Sequence, residues 1–374
     1  MSHSLPDGFT PSAINIPAKF SGIIEAPADG KPSITQSLKF PTPRLDEIII
    51  RNIAVAINPC DWKTPRNYPS PGARVGCEFF GSVLAIGPDA QSRRPDIQIG
   101  DRICGAIHGS NPIDHDSGSF SDYLSVPSDI VIRLPQGFPI GAGASLGGTS
   151  LCTLALTLWE SLKLQGTPSE PLTSAKPAPY VLVYGGSTAT GTMALQLLKL
   201  SGYKTVTTCS PRNFELVKEY GADAYFDYHS PTCTADIKAY TRGGLSYVID
   251  VITDATSQTI CHSALGRAGG IYAALERPLE VLNKRRRTVR VDFVVGWCAL
   301  GREVVLTTDY SRPADPKLRD RAARLFREMQ AFVEDGRLRP HPHRVVGSGY
   351  DNVLKGLKLL EKGVSGERLV VLIE

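Results

Sequence analysis

The stretch from Val181 to Ala274 alternates short β-type runs with helical runs, and this alternation constrains the fold more than any other feature of the chain. A β-type run at Val181–Tyr184 enters a glycine-rich turn, and a helical pattern over Thr192–Ser201 follows it. Strand and helix patterns then alternate every ~10–15 residues, as in βαβ units that build a parallel sheet. The sequence therefore predicts an α/β fold with a Rossmann-type sheet in mid-chain.

The turn after the first strand reads VLVYGGSTATG, from Val181 to Gly191. Its small residues allow the backbone to approach a pyrophosphate, and the N-terminus of the following helix favours the negative charge. Thr188 stands where related turns often have glycine, whereas Gly185, Gly186 and Gly191 remain. Such turns also occur as plain corners, but the alternating units downstream favour a dinucleotide site.

The segment that follows the second strand of this sheet, TVTTCSPRNF, contains no carboxylate. An NAD site usually has Asp or Glu there, which binds the ribose hydroxyls. Ser210, Arg212 and Asn213 stand there instead, and these groups suit a 2′-phosphate. This favours NADP(H), with Tyr228 flanking the adenine-ribose side. The alternatives are an ordinary Ser-Pro turn with a solvated arginine, and a tyrosine that packs on the surface.

The two ends of the chain differ from its middle. At ~150 residues per domain, 374 residues predict two or three domains. Short apolar runs between Pro, Gly and Asp dominate residues 1–145, and the C-terminal run resembles them. We predict a Rossmann domain at residues 146–315, inserted in a β-rich domain made of residues 1–145 and 316–374. Gly166–Pro179 is expected to be an exposed loop or insertion.

Charge and cysteine usage exclude several classes of protein. The net charge of +4 is too small to argue for nucleic-acid binding. No apolar run approaches the ~18–20 residues of a membrane span, and the start of the chain does not read as a secretory signal. None of the eight cysteines forms a C-x-x-C pair, which is typical of free thiols in a reducing compartment. We therefore expect a soluble cytoplasmic protein.

Five segments follow each other in an order that characterises a known superfamily: AINPCDWK (56–63), GCEFFGSV (76–83), GDRICG (100–105), the Rossmann turn, and GERLVVLI (366–373). This order resembles the medium-chain dehydrogenase/reductase superfamily over nearly the whole chain, which implies that the β-rich domain is GroES-like. NPCDWK, VYGGSTAT, CSPRNF and EDGRL-x-x-HP-x-RVV resemble more closely the trans-acting enoyl reductases of fungal polyketide synthases, of the lovastatin type.

The resemblance implies which residues contact the cofactor and the substrate. Cofactor contacts are expected at Pro59, Cys60, Asp61, Trp62, Ser187, Thr188, Ala189, Thr190, Ser210, Pro211, Arg212, Asn213, Tyr228, Leu275, Glu276, Ser365 and Gly366. Substrate contacts are expected at Thr149, Ser150, Leu151, Cys152, Thr153, Leu154, Ala155, Leu156, Val294, Val295, Gly296, Trp297 and Cys298.

Enoyl reduction requires hydride transfer to the β-carbon of an unsaturated thioester, stabilisation of the enolate oxygen, and a proton at the α-carbon. Lys63 is expected to orient the cofactor or to feed the proton relay, with a solvated surface lysine as the alternative. Thr149 is expected to donate to the thioester oxygen through its hydroxyl or its backbone N–H, or else to cap a helix. Asp61 is expected to hold the lysine or the loop, and solvent to supply the proton.

Zinc is the main metal alternative, because many members of this superfamily use it. Cys60, Cys77–Glu78 and Cys152 stand roughly where the zinc ligands would be, but Cys77 replaces the histidine, and the closely spaced cysteines of a structural site are absent. Three thiols do not match an open catalytic site with mixed ligands, so we expect no metal.

Two basic segments allow more than one interpretation. His341 and His343, in RPHPHR, resemble a metal clip, but the proline between them and the flanking arginines favour a surface loop. The run Lys284–Arg290 is either a solvated loop or a surface that receives an acidic acyl-carrier protein or its phosphopantetheine arm.

The sequence thus predicts an NADPH-dependent enoyl reductase that acts in trans on carrier-bound intermediates of a polyketide synthase or a synthase–peptide synthetase hybrid. We expect a monomer, because the Gly166–Pro179 loop would block the dimer contacts common on this fold. The alternatives are a reductase of quinones or free enones, and a non-catalytic NADPH-binding protein.

Overall fold

Strands and helices were assigned from a computed structural model, which describes residues 2–173, 178–283, 286–307 and 309–373. The strands are β1 Ser2–Ser4, β2 Ala13–Asn15, β3 Phe20–Glu25, β4 Pro32–Leu38, β5 Glu47–Ala56, β6 Glu78–Ile86, β7 Arg102–Ala106, β8 Tyr123–Pro127, β9 Val131–Leu134, β10 Tyr180–Tyr184, β11 Lys204–Thr208, β12 Ala224–Phe226, β13 Tyr247–Asp250, β14 Gly270–Ala274, β15 Val289–Phe293, β16 His343–Ser348 and β17 Arg368–Leu372. The α-helices are α1 Cys60–Asn67, α2 Pro88–Arg93, α3 Ile140–Ala144, α4 Gly148–Leu156, α5 Ala189–Leu200, α6 Phe214–Glu219, α7 Cys233–Tyr240, α8 Ala255–Ala264, α9 Glu280–Asn283, α10 Pro316–Glu334 and α11 Tyr350–Glu361.

The chain forms two units. Unit 1 runs up to Cys152 and resumes at Leu300, and unit 2 is Thr153–Ala299. The sequence placed the boundaries at 145/146 and 315/316 instead. The first boundary between the units lies inside α4, where no change of composition marks it.

Unit 1 is built around a seven-stranded sheet with the order β16-β17-β5-β6-β7-β9, and β8 pairs with β5. Its central strands β5, β6, β7 and β17 are buried at most positions, whereas the edge strand β16 is mostly exposed. Ile48, Ile50, Phe79 and Val83 from β5 and β6 lie in one core cluster with Ile103 of β7. The predicted β-rich character of this part of the chain is confirmed.

Two helices of unit 1 pack against opposite ends of this sheet. α11 packs on β16 and β17 through Tyr350, Val353 and Leu357, which share a core cluster with β17. α10 packs on β9. There the Gln330 side chain accepts from the backbone N–H of Arg133 at 2.9 Å and donates to its carbonyl at 2.6 Å.

Unit 2 contains a six-stranded sheet with the order β12-β11-β10-β13-β14-β15, in which every pairing is parallel. The order in which the strands follow each other reverses at β10: β11 and β12 lie on one side of it, and β13, β14 and β15 lie on the other. Loops that leave the carboxyl ends of the strands at such a point form the usual binding crevice of open α/β sheets. The predicted Rossmann sheet is confirmed, with β15 as a strand that the sequence did not predict.

One helical stretch, Ile140–Ser161, is long and apolar enough to span a membrane by length and composition alone. This corrects the expectation that no segment approaches such a length. Of its apolar 18-residue window, 78% is buried inside the protein, as in the core helix of a folded domain.

The predicted loop at Gly166–Pro179 is irregular and partly anchored. Trp159 donates its indole N–H to the Gly166 carbonyl at 2.9 Å, and the backbone N–H of Leu172 donates to the Ser201 carbonyl at 3.0 Å. Gly166 is buried rather than exposed, and residues 174–177 of the loop lie outside the described residues.

Candidate active site

The glycine-rich turn of unit 2 joins β10 to α5 with close backbone packing. Gly185 has φ +88°, and a Cβ on Gly186 would lie 1.9 Å from Oγ1 of Thr207. A Cβ on Gly191 would lie 2.3 Å from the Gly185 carbonyl oxygen. Thr188 is the N-cap of α5, and its Oγ1 accepts from the Gly191 N–H at 2.9 Å. A threonine therefore fits at the place of the missing glycine because it caps the helix.

The predicted pyrophosphate contacts lie at the N-terminus of α5. Ser187, Thr188, Ala189 and Thr190 are all partly exposed there. The first amides of a helix and its dipole favour a phosphate at this position. The residues that are present therefore fit a dinucleotide.

The segment after β11 carries side chains that are predicted to bind the 2′-phosphate, and it lies near the residues that follow β12. The Ser210 hydroxyl lies 3.3 Å from the Tyr228 hydroxyl. Pro211 and Arg212 are exposed, and Asn213 is buried. Burial, and secondarily the Asp227 carboxylate, raises the pKa of the Cys209 thiol to about 12. Asp227 accepts the His229 N–H at 2.9 Å.

Asp250, at the end of β13, organises a loop that the sequence analysis overlooked. Its carboxylate accepts from the hydroxyls of Ser257 and Tyr272, both at 2.7 Å, and from the Thr253 N–H at 2.8 Å. Burial raises the pKa of Asp250. The Thr253 hydroxyl oxygen in turn accepts from the N–H groups of Leu275 and Glu276, at 3.3 and 3.4 Å. Two predicted cofactor contacts are thereby held in place. An Asp as the last residue of a strand, followed by Thr253 and Ser257, was the signal for this loop.

The parts of the two predicted substrate runs that belong to unit 2, residues 153–156 and 294–298, come close to each other. A Cβ on Gly296 would lie 2.5 Å from Oγ1 of Thr153. In the first run, Thr149 and Thr153 are partly exposed, whereas the other six residues are buried: Ser150, Leu151, Cys152, Leu154, Ala155 and Leu156. In the second run, four residues are buried: Val294, Val295, Trp297 and Cys298.

Glu78 of β6 is the centre of a buried polar network in unit 1. Its side chain is 1% exposed, and its Oε1 accepts from the backbone N–H of Thr149 at 2.6 Å. Its Oε2 accepts from the Asn58 amide at 3.1 Å and from the Arg368 guanidinium at 2.6 Å. Arg368 also donates to the Asn58 side-chain carbonyl. Three distant segments, which carry Asn58, Thr149 and Arg368, are therefore joined by one carboxylate.

This network decides between the alternatives for Thr149. Its backbone N–H is engaged by Glu78, so the prediction that this N–H donates to the substrate is wrong. Thr149 lies inside α4 rather than at an N-cap position. Its Oγ1 is buried and has no hydrogen-bond partner among the described residues. The hydroxyl is therefore the group that can donate to a bound molecule.

α1 carries the other predicted residues of unit 1. Pro59 is its N-cap residue, and Trp62 and Lys63 are partly exposed. Asp61 is buried, and its Oδ2 accepts from the Asn58 N–H at 2.7 Å, so this carboxylate holds the loop. Burial raises the pKa of Asp61 to about 7.

The cysteines of unit 1 form a donor set that differs from the expected one. In the part of the chain that the structure describes, one group of three residues has ligand atoms within 4.8 Å of one another: Cys60, Asp61 and Cys77. Cys152 is not in it, and Glu78 is engaged by other partners. Catalytic zinc sites use His₃, His₂Glu or Cys₂His. Two thiols and an aspartate do not fit that pattern.

Several other predicted residues have structural roles. Arg286 donates to the carbonyls of His262, Leu265 and Gly266. Arg290 donates to the Ser161 carbonyl. Arg286 and Arg290 of the predicted carrier surface at 284–290 are therefore engaged by backbone carbonyls. Lys284 and Arg285 lie outside the described residues.

Two more expectations concern the C-terminal part of the chain. His341 is buried, so its assignment to a surface loop is wrong, whereas His343 is exposed at the start of β16. Burial lowers the pKa of His341 to about 3. Ser365 and Gly366 lie in the turn before β17, where Gly366 has φ +72°.

The chain resembles known proteins along nearly its whole length. Trans-enoyl reductase poxP of Penicillium oxalicum is 49% identical over 372 residues, which covers 99% of this chain and 97% of that protein. Trans-enoyl reductase ccsC of Aspergillus clavatus is 48% identical over 364 residues, which covers 97% of this chain and 99% of that protein.

Domain families and solved structures agree with this likeness. The alcohol dehydrogenase GroES-like domain matches residues 44–136, and the zinc-binding dehydrogenase family matches residues 189–274. The CurK enoyl reductase superposes with a TM-score of 0.71 at 16% identity, over 95% of this chain and 99% of that chain. At that identity, the superposition shows the fold alone.

Proposed function

We infer that this chain, which belongs to the trans-enoyl reductase family of the medium-chain dehydrogenase/reductase superfamily, reduces the α,β-double bond of an unsaturated polyketide thioester that a partner synthase carries. When bound, NADPH would be held by the residues at the N-terminus of α5 and by Ser210 and Tyr228, and it would supply the hydride for the β-carbon. The observation that carries the mechanism is the buried hydroxyl of Thr149, which has no partner among the described residues.

Thr149 stabilises the oxygen of the thioester as it becomes an enolate. Because Glu78 accepts the Thr149 N–H at 2.6 Å, the start of α4 is fixed and the hydroxyl is left to donate. A donor that is already oriented in a buried place stabilises developing negative charge without reorganisation. Lys63 on α1 orients the nicotinamide or feeds the proton relay, and solvent delivers the proton to the α-carbon.

The reaction is tested with crotonyl-pantetheine as the free thioester and NADPH oxidation as the readout. Thr149→Val removes the hydroxyl at nearly constant volume, and we expect kcat/KM to fall about 100-fold with NADPH affinity unchanged. Thr149→Ser keeps the hydroxyl and is the matched control. Equal activity of Thr149→Val and Thr149→Ser would show that the hydroxyl has no such role. Turnover of quinones alone would replace the proposal with a quinone reductase, and NADPH binding without turnover would indicate a non-catalytic protein.

NADPH rather than NADH is proposed as the cofactor. The support is the exposed Arg212 guanidinium, together with the Ser210 and Tyr228 hydroxyls that lie 3.3 Å apart. Hydrogen bonds to charged groups contribute ~1.5–3 kcal/mol, so Arg212→Ala is expected to lower the preference for NADPH over NADH about 10–100-fold. Arg267→Ala removes another exposed arginine of unit 2 and is the control. A wild-type enzyme without preference for NADPH would contradict this assignment.

Four further properties belong to the proposal. The partner is a polyketide synthase or a synthase–peptide synthetase hybrid, and reconstitution with the cognate synthase tests it by the saturation of the product.

The donor set of Cys60, Asp61 and Cys77 favours catalysis without zinc, and stoichiometric zinc in the purified protein would overturn that statement. The eight free cysteines support the cytoplasm as the location, which cell fractionation tests. Sedimentation tests the proposed monomer.

A further inference from the structure

The helix α11 presents three lysines on one side. Lys355 and Lys358 lie in the helix, and Lys362 is its C-cap residue. The three follow each other at spacings of three and four residues, and all are exposed. Residues at such spacings share one face of a helix. The side chains of these lysines have no hydrogen-bond or ion-pair partner among the described residues. We call this set the α11 lysine face.

The opposite side of α11 explains why the lysines are directed outward. Tyr350, Val353 and Leu357 are buried in the core cluster that includes β17. Gly356 lies so close to Ile57 that a Cβ there would be 2.2 Å from the isoleucine Cδ1. The helix is therefore fixed on the sheet, and the α11 lysine face is held in a constant orientation.

The α11 lysine face lies beside the helix that carries the predicted cofactor-side residues of unit 1. Arg66 of α1 forms an ion pair with Glu361 of α11 at 3.0 Å. Trp62 of α1 packs against the same core cluster as Leu354 of α11. Of the two carboxylates on α11, Glu361 is thereby engaged, and Asp351 lies four residues before Lys355, so three lysines stand against one unengaged carboxylate on this surface.

We propose that the α11 lysine face is the docking surface for the acidic acyl-carrier domain of the partner synthase. This inference rests on the proposed function, because an enzyme that acts in trans must receive its thioester from a separate protein. Unpaired cations along one helix complement a row of carboxylates on such a domain, and complementary charge raises the rate of productive encounter.

The test compares a carrier-bound substrate with a free one. The carrier probe is an acidic acyl-carrier domain loaded with a crotonyl group on its phosphopantetheine arm, and the free probe is crotonyl-pantetheine. We expect K355E/K358E/K362E to lower kcat/KM on the loaded carrier about 10–100-fold, because three attractive pairs are lost and the reversed charges repel the carrier. Turnover of crotonyl-pantetheine should stay unchanged. Raising NaCl should slow the wild type on the carrier but not the variant.

A matched control lies on α10, which packs at the other end of the same sheet. Lys317, Arg324 and Arg327 are exposed there, and K317E/R324E/R327E makes the same change of charge. We expect this variant to keep wild-type kcat/KM on the loaded carrier. An equal loss in the α10 variant would reduce the effect to non-specific attraction and overturn the proposal, as would wild-type kinetics of the α11 variant.

Two further outcomes are informative. Loss of binding to vesicles of anionic phospholipid in the α11 variant, with unchanged carrier kinetics, would assign the face to a membrane and overturn the proposal. If the wild type reduces neither probe, the proposed reaction fails, and titration of the carrier domain against both variants by fluorescence anisotropy still decides the docking. Selective weakening in the α11 variant would then support the surface, and equal affinities would refute it.

Discussion

Substitution of Glu78 by glutamine tests whether the buried network of unit 1 holds the site together. Gln retains an acceptor for the Thr149 N–H, but it cannot neutralise the Arg368 guanidinium, which lies 2.6 Å from Glu78 Oε2 and is 4% exposed. The new amide would also direct its donors toward those of Asn58 and Arg368. Because breaking a buried ion pair leaves an uncompensated charge, we expect a loss of about 3–5 kcal/mol in the free energy of unfolding.

The assay is equilibrium urea unfolding followed by circular dichroism, combined in a double-mutant cycle with Arg368→Met. Arg368→Met leaves Glu78 as the unpaired charge, whereas the double variant leaves neither. The double variant should therefore cost about 2–3 kcal/mol less than the sum of the single variants. Glu367→Gln is the control, because Glu367 pairs with Arg344 at 2.9 Å on the surface and should cost no more than ~1 kcal/mol. A loss below ~1 kcal/mol for Glu78→Gln, or strict additivity in the cycle, would refute the reasoning.

Three other predictions test single residues. Lys63→Ala should lower turnover of crotonyl-pantetheine about 10-fold or more if Lys63 feeds the proton relay, or weaken NADPH binding if it orients the cofactor, and no change in either quantity would contradict both roles. Burial lowers the pKa of His108 to about 3, so the unfolded chain takes up a proton below pH ~6.5 while the folded one does not, and stability is lost as the pH falls. Between pH 7 and pH 5 the loss from His108 should be about 2 kcal/mol, and His108→Gln should remove that part of the pH dependence of urea unfolding. Asp250→Asn should destabilise unit 2 by about 1–3 kcal/mol, because one amide cannot accept all the hydrogen bonds that the carboxylate accepts, and an unchanged melting temperature would contradict this.

Local sequence pattern was sufficient to predict most elements of unit 2, but not β15 or the helix α4, which crosses the boundary between the units. The predicted Phe214–Glu219 helix and Gly270–Ala274 strand agree with the structure residue by residue. The apolar helix α4 went unpredicted because it is buried on nearly all sides and therefore lacks the period of a half-exposed helix. β15 went unpredicted because Arg290 and Asp292 interrupt a run of only five residues.

The residues of the candidate site also fall into two groups: those that local sequence pattern could identify, and those that only long-range contacts reveal. The sequence singled out Thr188 in the glycine-rich turn and Ser210 after β11 as candidate cofactor contacts, whereas the role of Thr188 as the cap of α5 came only from the structure. Glu78 was considered only as part of a candidate zinc-ligand pair with Cys77, because its partners Thr149 and Arg368 are 71 and 290 residues away in the chain. A short sequence motif cannot indicate a contact between residues so far apart in the chain. The role of the Thr149 N–H followed only from the pairing in space.

Glu78 and Arg368 are in contact although the whole of unit 2 lies between them in the sequence. Arg368 begins β17, which follows unit 2 in the chain yet pairs with β5, ahead of unit 2. The polar network that fixes Asn58 and the start of α4 is therefore complete only after the C-terminal strand has joined the sheet. Because the same strand is the support of α11, one late strand both orients Thr149 and positions the α11 lysine face. Substitutions that loosen β17 should consequently impair free and carrier-bound substrates alike, whereas reversal of the lysines should impair carrier-bound substrates alone.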